Sequence, residues 1–379
     1  MTTQNTNRQR TSSTSTRRTS SAQRSAAGQR RKKKKTRNVV ILVLEVLVLA
    51  VMLGVLWFVV KATDKETGIQ KVEIPSEEVI INEEVVENEV LETYRTIALF
   101  GLDSTVGELT SNTRSDTIMI ASLNNETKEV RLMSVYRDTY LNLGNDTYNK
   151  CNAAYAKGGP KQAINMLNMN LDLDITDFVA VGFKGVTDVV NAIGGIYIDV
   201  DSAELEHINN YQIGISENLK TSYTPVTKTG YQKLDGIQAT AYCRIRYTAG
   251  DDFKRTERQR EVLSAILEEA KKLDVAALTK IANNVFGNVY TSIDLDEIIS
   301  LLSDLASYTL IDEGGFPALD YRTTATLGKG VGDSVICTDL EEAVIDFHKR
   351  FFANEEYTPS ATVKEISATI HQNTDAYIR

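Results

Sequence analysis

One apolar run near the N-terminus constrains this chain more than any other feature of its sequence. Residues 39–60, VVILVLEVLVLAVMLGVLWFVV, are 22 residues with a single charged side chain, Glu45. As a helix rising about 1.5 Å per residue, the run would be about 33 Å long, enough to cross a bilayer. A cleaved signal peptide would have a shorter apolar core and a small-residue cleavage site. We therefore predict an uncleaved transmembrane helix at 39–60.

The residues that flank this run predict its orientation. Residues 1–38 contain twelve Lys or Arg and no Asp or Glu, and they are otherwise mostly Ser, Thr, Gln and Asn. Such a composition is typical of a disordered tail, and the positive-inside rule places this tail in the cytoplasm. Basic residues next to a membrane span bind anionic lipid headgroups, so the tail does not require nucleic acid as a partner. The chain from residue 61 onward is then predicted to be extracellular.

The extracellular part is predicted to have three segments. Residues 61–92 contain ten acidic and three basic residues with a single proline, Pro75, as expected of an acidic, solvated stalk. A folded domain is predicted at 93–352. The last segment, 353–379, is predicted to be a loosely ordered C-terminal tail.

Cysteine and histidine usage excludes some classes of site. The three cysteines, Cys151, Cys243 and Cys337, have no metal-like spacing and do not indicate a disulfide framework. Either one disulfide forms beside a free thiol, or all three are buried small side chains. The three histidines lie outside the two charged stretches described below, which argues against histidine-centred catalysis and against a zinc site.

Strands and helices alternate through the predicted domain. Apolar runs predict strands at 95–101, 117–123, 130–135, 178–183 and 196–200. Helical periodicity predicts helices at 149–157, 160–170, 235–243, within 255–309 and from 340 onward. Residues 201–229 are predicted to be irregular surface. This alternation predicts an α/β fold, an α/β/α sandwich with a central mixed β-sheet, preceded by the one transmembrane helix.

The stretch RSDTIMIASLNNETKEVRLMSVYRDTY, residues 114–140, carries an Arg and an Asp near each end. A hairpin folded about residues 125 and 126 would place position 116 opposite 136 and position 114 opposite 138. Both Arg/Asp pairs would then meet at the open end of the hairpin. They could close the hairpin as salt bridges, or they could belong to a site completed by other parts of the chain.

A second charged stretch, CRIRYTAGDDFKRTERQR at 243–260, concentrates arginine in an acidic region. It holds six basic residues, whereas the chain beyond residue 38 carries 30 basic against 51 acidic residues. Extended backbone would point Arg244 and Arg246 to one face, and a helix would bring together Arg255, Arg258 and Gln259. Guanidinium groups match phosphate oxygens, so a polyphosphate ligand would satisfy this cluster. The carboxylates available to hold Mg²⁺ beside such a ligand are Asp103, Asp116 and Asp138.

Five motifs, in order after one membrane span, resemble the LytR-CpsA-Psr family. They are IALFGLDS, RSDTIMIASLNNETKEVRLMSVYRDTY, YNKCNAAYAKGG, VGFKGVTDVVNAIGGIYIDV and LDGIQATAYCRIRYTAGDDFKRTERQR. The resemblance covers about residues 94–275 and extends toward 352. It implies a membrane-anchored phosphotransferase of a Gram-positive cell envelope. Such an enzyme moves a glycopolymer, of the wall teichoic acid or capsular polysaccharide type, from an undecaprenyl-pyrophosphate carrier to peptidoglycan.

The resemblance also implies roles for individual residues. Asp103 and Asp116 would hold Mg²⁺, and an apolar tunnel between sheet and helices would take the polyprenyl chain. The pyrophosphate would be held by Arg114, Arg137, Arg244, Arg246, Arg255 and Gln259. The family usually has proline at the position of Tyr136, and this departure affects the loop that carries Arg137.

Several assignments stay open at this stage. Asp138 is a candidate general base, Lys150 either contacts the phosphate headgroup or is solvated, and either Asp251 or Asp252 partners the arginines. Two other functions use the same groups. One is a non-catalytic module that binds polyprenyl pyrophosphate or wall polymer, and the other is a prenyl pyrophosphatase. The sequence does not predict an oligomeric state.

Overall fold

The described part of the chain comprises residues 70–86, 88–104, 109–110, 112–294, 298 and 305–378 of a computed structural model. The predicted basic tail and the predicted transmembrane helix at 39–60 lie outside these residues. Among the described residues, no helix is both long enough and apolar enough to cross a membrane.

Within the part of the chain that the structure describes, a mixed sheet of seven strands lies at the centre of the domain. The strands of the domain are β1 (Gln70–Lys71), β2 (Tyr94–Leu102), β3 (Ser115–Asn124), β4 (Glu129–Val135), β5 (Tyr140–Asn142), β6 (Tyr148–Lys150), β7 (Asp177–Val181), β8 (Ile196–Val200), β9 (Gly230–Leu234), β10 (Val289–Thr291), β11 (Thr309–Phe316), β12 (Arg322–Leu327) and β13 (Gly332–Cys337). The order in the central sheet is β1-β10-β7-β2-β3-β4-β11. Pairing is parallel for β1 with β10, β7 with β2 and β4 with β11, and antiparallel for the other three neighbours. The predicted central mixed sheet is confirmed.

Helices cover both faces of this sheet. They are α1 (Glu83–Val86), α2 (Ala153–Leu171), α3 (Phe183–Ala192), α4 (Ser202–Leu219), α5 (Gly236–Tyr242), α6 (Asp251–Ala270), α7 (Val275–Val285), α8 (Leu340–Phe352) and α9 (Ala361–Thr374). Alternate side chains of β2 enter two separate cores, Ile97 and Leu99 on one side and Ala98 and Phe100 on the other. Helices α3 to α7 pack into the first core, and α2, α8 and α9 into the second. The α/β/α sandwich is therefore confirmed.

The prediction of irregular surface at 201–229 was wrong. Helix α4 occupies much of this stretch, and β9 follows it, pairing with β8 outside the central sheet. Asp201 and Glu204 form a capping box at the start of α4. This pair is a sequence signal for the start of a helix. The apolar pattern was weak because few of its side chains, such as Ile208 and Ile215, reach the core.

The predicted boundaries of the folded domain, residues 93 and 352, were too narrow at both ends. Within the predicted stalk, β1 joins the central sheet, and Val85 and Leu91 are buried. Within the predicted loose tail, α9 buries Val363 and Ile366. Acidic composition therefore concealed a few apolar anchors that attach these segments to the domain.

The hairpin of β3 and β4 forms one residue out of the predicted register. Leu123 pairs with Val130, so position 116 projects toward 137 instead of 136. The shift arises in the turn, where Lys128 adopts a left-handed backbone with φ of 66° and donates its N–H to the Asn124 carbonyl. This register brings Asp116 against Arg137. The three cysteines are free. Cys151 and Cys337 are buried, as the second alternative expected, whereas Cys243 is only partly buried.

The buried side chain of His348 predicts a loss of stability in acid. Its Nε2 lies 2.8 Å from the Leu171 carbonyl oxygen, and burial lowers the pKa of the imidazole to about 4. The unfolded chain takes up a proton near pH 6.5 that the folded chain does not. The free energy of unfolding should therefore fall by about 3 kcal/mol as the pH falls from 6.5 to 4.

Urea unfolding of the wild-type chain and of His348→Gln across this pH range measures the effect. Glutamine keeps an N–H donor for Leu171 but does not titrate, so its stability should decline less over the same interval. Parallel pH profiles for the two proteins would contradict the prediction.

Candidate active site

A cavity of about 270 Å³ lies between the sheet and the helices of the first core. Its apolar lining comes from the middle of β2, β3, β7, α3 and α6. These side chains include Leu99, Met119, Val179, Val186, Val189, Val262, Leu263 and Ile266. The charged and polar lining comes from the ends of the same strands, from the first half of α6 and from the loop before it. These residues are Asp103, Asp116, Arg244, Arg246, Arg255 and Gln259. The cavity is therefore charged at one end and apolar along its length.

A β-bulge positions Asp116 at the charged end. Gly101 pairs with Thr117 whereas Leu102 pairs with Ser115, so Asp116 is the extra residue of the bulge. A bulge of this kind re-aims the side chain that it inserts. Asp103 follows the end of β2 directly, and both carboxylates line the cavity.

Arg137 joins three carboxylates beside this end of the cavity. Its Nη1 donates to Asp116 Oδ1 at 2.6 Å, and its Nε lies 3.3 Å from Asp252 Oδ2 and 3.5 Å from Asp138 Oδ2. Burial disfavours the charged guanidinium, but these carboxylates together raise the pKa of Arg137 above its ordinary value. Arg137 is therefore a fixed positive charge that holds acidic groups from β3 and α6 together.

The first turn of α6 shows which of Asp251 and Asp252 partners the arginines. Asp252 lies 3.1 Å from Arg255 and 3.4 Å from Arg246, whereas Asp251 is exposed. Arg255 also donates to the backbone carbonyl of Asp116 at 2.9 Å, and burial lowers its pKa. Asp252 is thus the common partner of the arginines.

Two polar atoms in the cavity wall have no hydrogen-bond partner. Arg255 Nε and Gln259 Oε1 are buried, and both residues line the cavity. Buried polar groups are nearly always paired, so these two atoms leave the hydrogen bonding of the cavity wall incomplete. Arg244 stacks on Phe183 and Tyr211, with its Cζ 4.3 Å and 5.5 Å from their ring centroids. The stacking fixes the plane of this guanidinium at the cavity wall.

Other residues expected in the site lie elsewhere. Arg114 is exposed and makes no ion pair with the described residues. Arg258 lies outside the cavity, where its Nε donates to the buried Glu204 at 2.7 Å. Lys150 is not among the residues that line the cavity and forms an ion pair with Asp138 at 3.1 Å. The aromatic lining residues Phe183, Tyr211 and Tyr247 were not anticipated, since nothing in the sequence distinguishes them from core positions.

The carboxylates suit a divalent cation that binds together with a phosphate. The described residues contain no group of three His, Cys, Asp or Glu side chains arranged to hold a metal by themselves. Mg²⁺ needs only one or two carboxylates when phosphate oxygens and water complete its shell. Asp103 and Asp116, at one end of one cavity, fit that requirement.

The sequence is similar to a known protein family and to curated relatives. The model of the LytR_cpsA_psr family matches residues 56–317. Biofilm regulatory protein A of Streptococcus mutans is 33% identical over 56% of this chain and 53% of its own. The polyisoprenyl-teichoic acid–peptidoglycan teichoic acid transferase TagV of Bacillus subtilis is 31% identical over 52% of this chain and 49% of its own. The chain therefore spans about half the length of these curated relatives.

A solved structure supports the fold. Bacillus subtilis TagT bound to LIIa-WTA superposes with a TM-score of 0.53 at 22% identity, covering 80% of this chain and 99% of the other. At this identity, the likeness establishes the shared architecture.

Proposed function

The chain belongs to the LytR-CpsA-Psr family, and on that premise we propose that it is a Mg²⁺-dependent phosphotransferase of the cell envelope. It would transfer a glycopolymer, of the wall teichoic acid or capsular type, from undecaprenyl pyrophosphate to peptidoglycan. One observation carries the proposal: a single cavity combines an arginine and carboxylate end with a long apolar wall. A diphosphate with a prenyl tail has the matching chemistry, and the name of the TagV relative describes this class of reaction.

The proposed chemistry is attack by an acceptor hydroxyl on the phosphorus that carries the glycan. A new phosphodiester forms, the bond between the two phosphates breaks, and polyprenyl phosphate leaves. Arg244, Arg246 and Arg255 would bind and orient the phosphate oxygens, because phosphoryl transfer depends mainly on positioning and on neutralising charge. Mg²⁺ held by Asp103 and Asp116 would supply further positive charge. Asp138, beside Arg137 and Lys150, is the carboxylate we propose to accept the hydroxyl proton.

We also propose that the protein is anchored by one membrane span. The predicted helix at 39–60 would keep residues 1–38 in the cytoplasm and place the domain outside, as in a Gram-positive bacterium. The prenyl tail could then reach the cavity from the membrane that holds the carrier.

Blocking the apolar part of the cavity tests the proposal. Val186 lines the cavity on α3, and Val186→Trp should fill space that the prenyl chain needs. We expect the wild-type chain to co-purify with a polyprenyl phosphate and to cleave a prenyl pyrophosphate only when Mg²⁺ is present. In Val186→Trp, we expect the co-purifying lipid to fall at least about tenfold, as a lost pocket contact of 1.4 kcal/mol or more would require.

The matched control is Val275→Trp, which adds the same bulk at an exposed position of α7. Mass spectrometry of the bound lipid and phosphate release with Mg²⁺ or EDTA are the measurements. Lipid binding without turnover by the wild-type chain would favour a non-catalytic module, and release to water alone would favour a pyrophosphatase. Equal lipid in both tryptophan variants would reject the cavity as the prenyl site.

A further inference from the structure

The hairpin of β12 and β13 contacts the backbone that carries two proposed active-site residues. The Val335 N–H donates to the Asp138 carbonyl at 2.9 Å, and Thr139 forms a parallel bridge with Val335. The match to the family model ends at residue 317, so this hairpin lies beyond the matched region.

Arg322, the first residue of the hairpin, lies against two aromatic rings. Its guanidinium carbon is 4.6 Å from the centroid of Tyr136 and 4.1 Å from that of Phe253. The two rings meet edge to face, with centroids 4.6 Å apart. Arg322 Nη1 also donates to the Pro317 carbonyl at 3.0 Å, which fixes the guanidinium over the rings.

These rings are adjacent in sequence to the charged groups of the site. Tyr136 precedes Arg137, and Phe253 follows Asp252, so the ring pair connects the two residues whose side chains form an ion pair. The Tyr136 ring has room only because residue 315 is glycine, since a Cβ there would lie 2.3 Å from the tyrosine hydroxyl oxygen.

We propose that Arg322 is a positioning residue, which clamps Tyr136 to Phe253 and thereby sets Asp252 against Arg137. The expected effect of Arg322 on turnover rests on the proposed function, whereas its effect on the position of Asp252 does not. Arg322 does not line the cavity, so its effect would pass through Asp252 and the first turn of α6.

A double-mutant cycle with Asp252→Asn tests this route. Arg322→Ala should lower kcat/KM for Mg²⁺-dependent cleavage of a prenyl pyrophosphate about tenfold, because small displacements in a site are costly. In the Asp252→Asn background the same change should cost less than about twofold, because residues that act through one another are not additive. Lys329→Ala, which removes a positive charge from the turn of the same hairpin, is the matched control and should have no effect. Equal losses in both backgrounds would overturn the proposal.

Hydrogen exchange in the full-length protein tests the positioning without relying on turnover. The backbone amides of residues 255–258, which bond to the first turn of α6, should exchange at least about fivefold faster in Arg322→Ala than in Lys329→Ala. Unchanged exchange would overturn the clamp even in an active enzyme. Faster exchange in a protein without turnover would support the clamp and reject the proposed function.

Discussion

Arg137→Ala is expected to lower Mg²⁺-dependent cleavage of a prenyl pyrophosphate by about 1,000-fold, or about 4 kcal/mol of transition-state stabilisation. Arg137 holds Asp116 on β3 and Asp252 on α6 through one guanidinium. Its removal leaves these two carboxylates and Asp138 close together without their shared counter-ion. Their repulsion would displace a proposed Mg²⁺ ligand and the partner of Arg255 at the same time.

Arg137→Lys separates geometry from charge. Lysine keeps the positive charge but lacks the planar fork that reaches several carboxylates, so turnover should be intermediate. Arg350→Ala is the matched control, because it removes an arginine paired with Asp346 outside the cavity, and turnover should stay within about twofold of wild type. Rates are compared per folded protein, with folding checked by circular dichroism. Turnover of Arg137→Ala close to that of Arg350→Ala would reject the site as we assign it.

The sequence indicated most of the charged residues of the candidate site because they occur where charge is otherwise scarce or opposite in sign. Arg244, Arg246 and Arg255 stand out in an acidic segment, and the structure places all three at one cavity. Arg258 shows the limit of this reasoning. Helical spacing predicted that it lies beside Arg255. Only the fold shows that its guanidinium instead donates to Glu204, which is 54 positions away in the sequence.

Two further details could be determined only from the fold: the register of the β3–β4 hairpin and the choice between Asp251 and Asp252. The pairing of Asp116 with Arg137 depends on the left-handed Lys128 in the turn, and a one-residue slip exchanges the faces of a strand. Asp251 and Asp252 have the same chemistry, and only the start of α6 decides which of them points toward the arginines.

The two ends of the domain were missed for a different reason. Segments rich in acidic and polar residues are usually solvated, and both ends have that composition. Both are nevertheless attached to the domain, and one attachment that they share is a buried carboxylate, Asp172, which follows α2. Asp172 accepts hydrogen bonds from Asn82 in the predicted stalk and from Tyr357 and the Ser360 N–H in the predicted tail.

Asp172→Ala is therefore expected to lower the free energy of unfolding by about 4 kcal/mol, in the range for loss of one partner from a buried charged network. Three donors from two segments would lose their shared acceptor in the interior, where lost hydrogen bonds are not replaced by water. Asp146→Ala is the matched control. Asp146 also has a left-handed backbone, with φ of 58° against 50° for Asp172, but it is exposed, so both variants carry the same backbone strain. We expect Asp146→Ala to lower the free energy of unfolding by less than about 1 kcal/mol in urea unfolding.

Limited proteolysis should also cut Asp172→Ala near residues 82 and 357 before the wild-type chain, because the two ends would separate from the domain. Equal unfolding midpoints for the two alanine variants would show that the other contacts of the two ends hold them without Asp172.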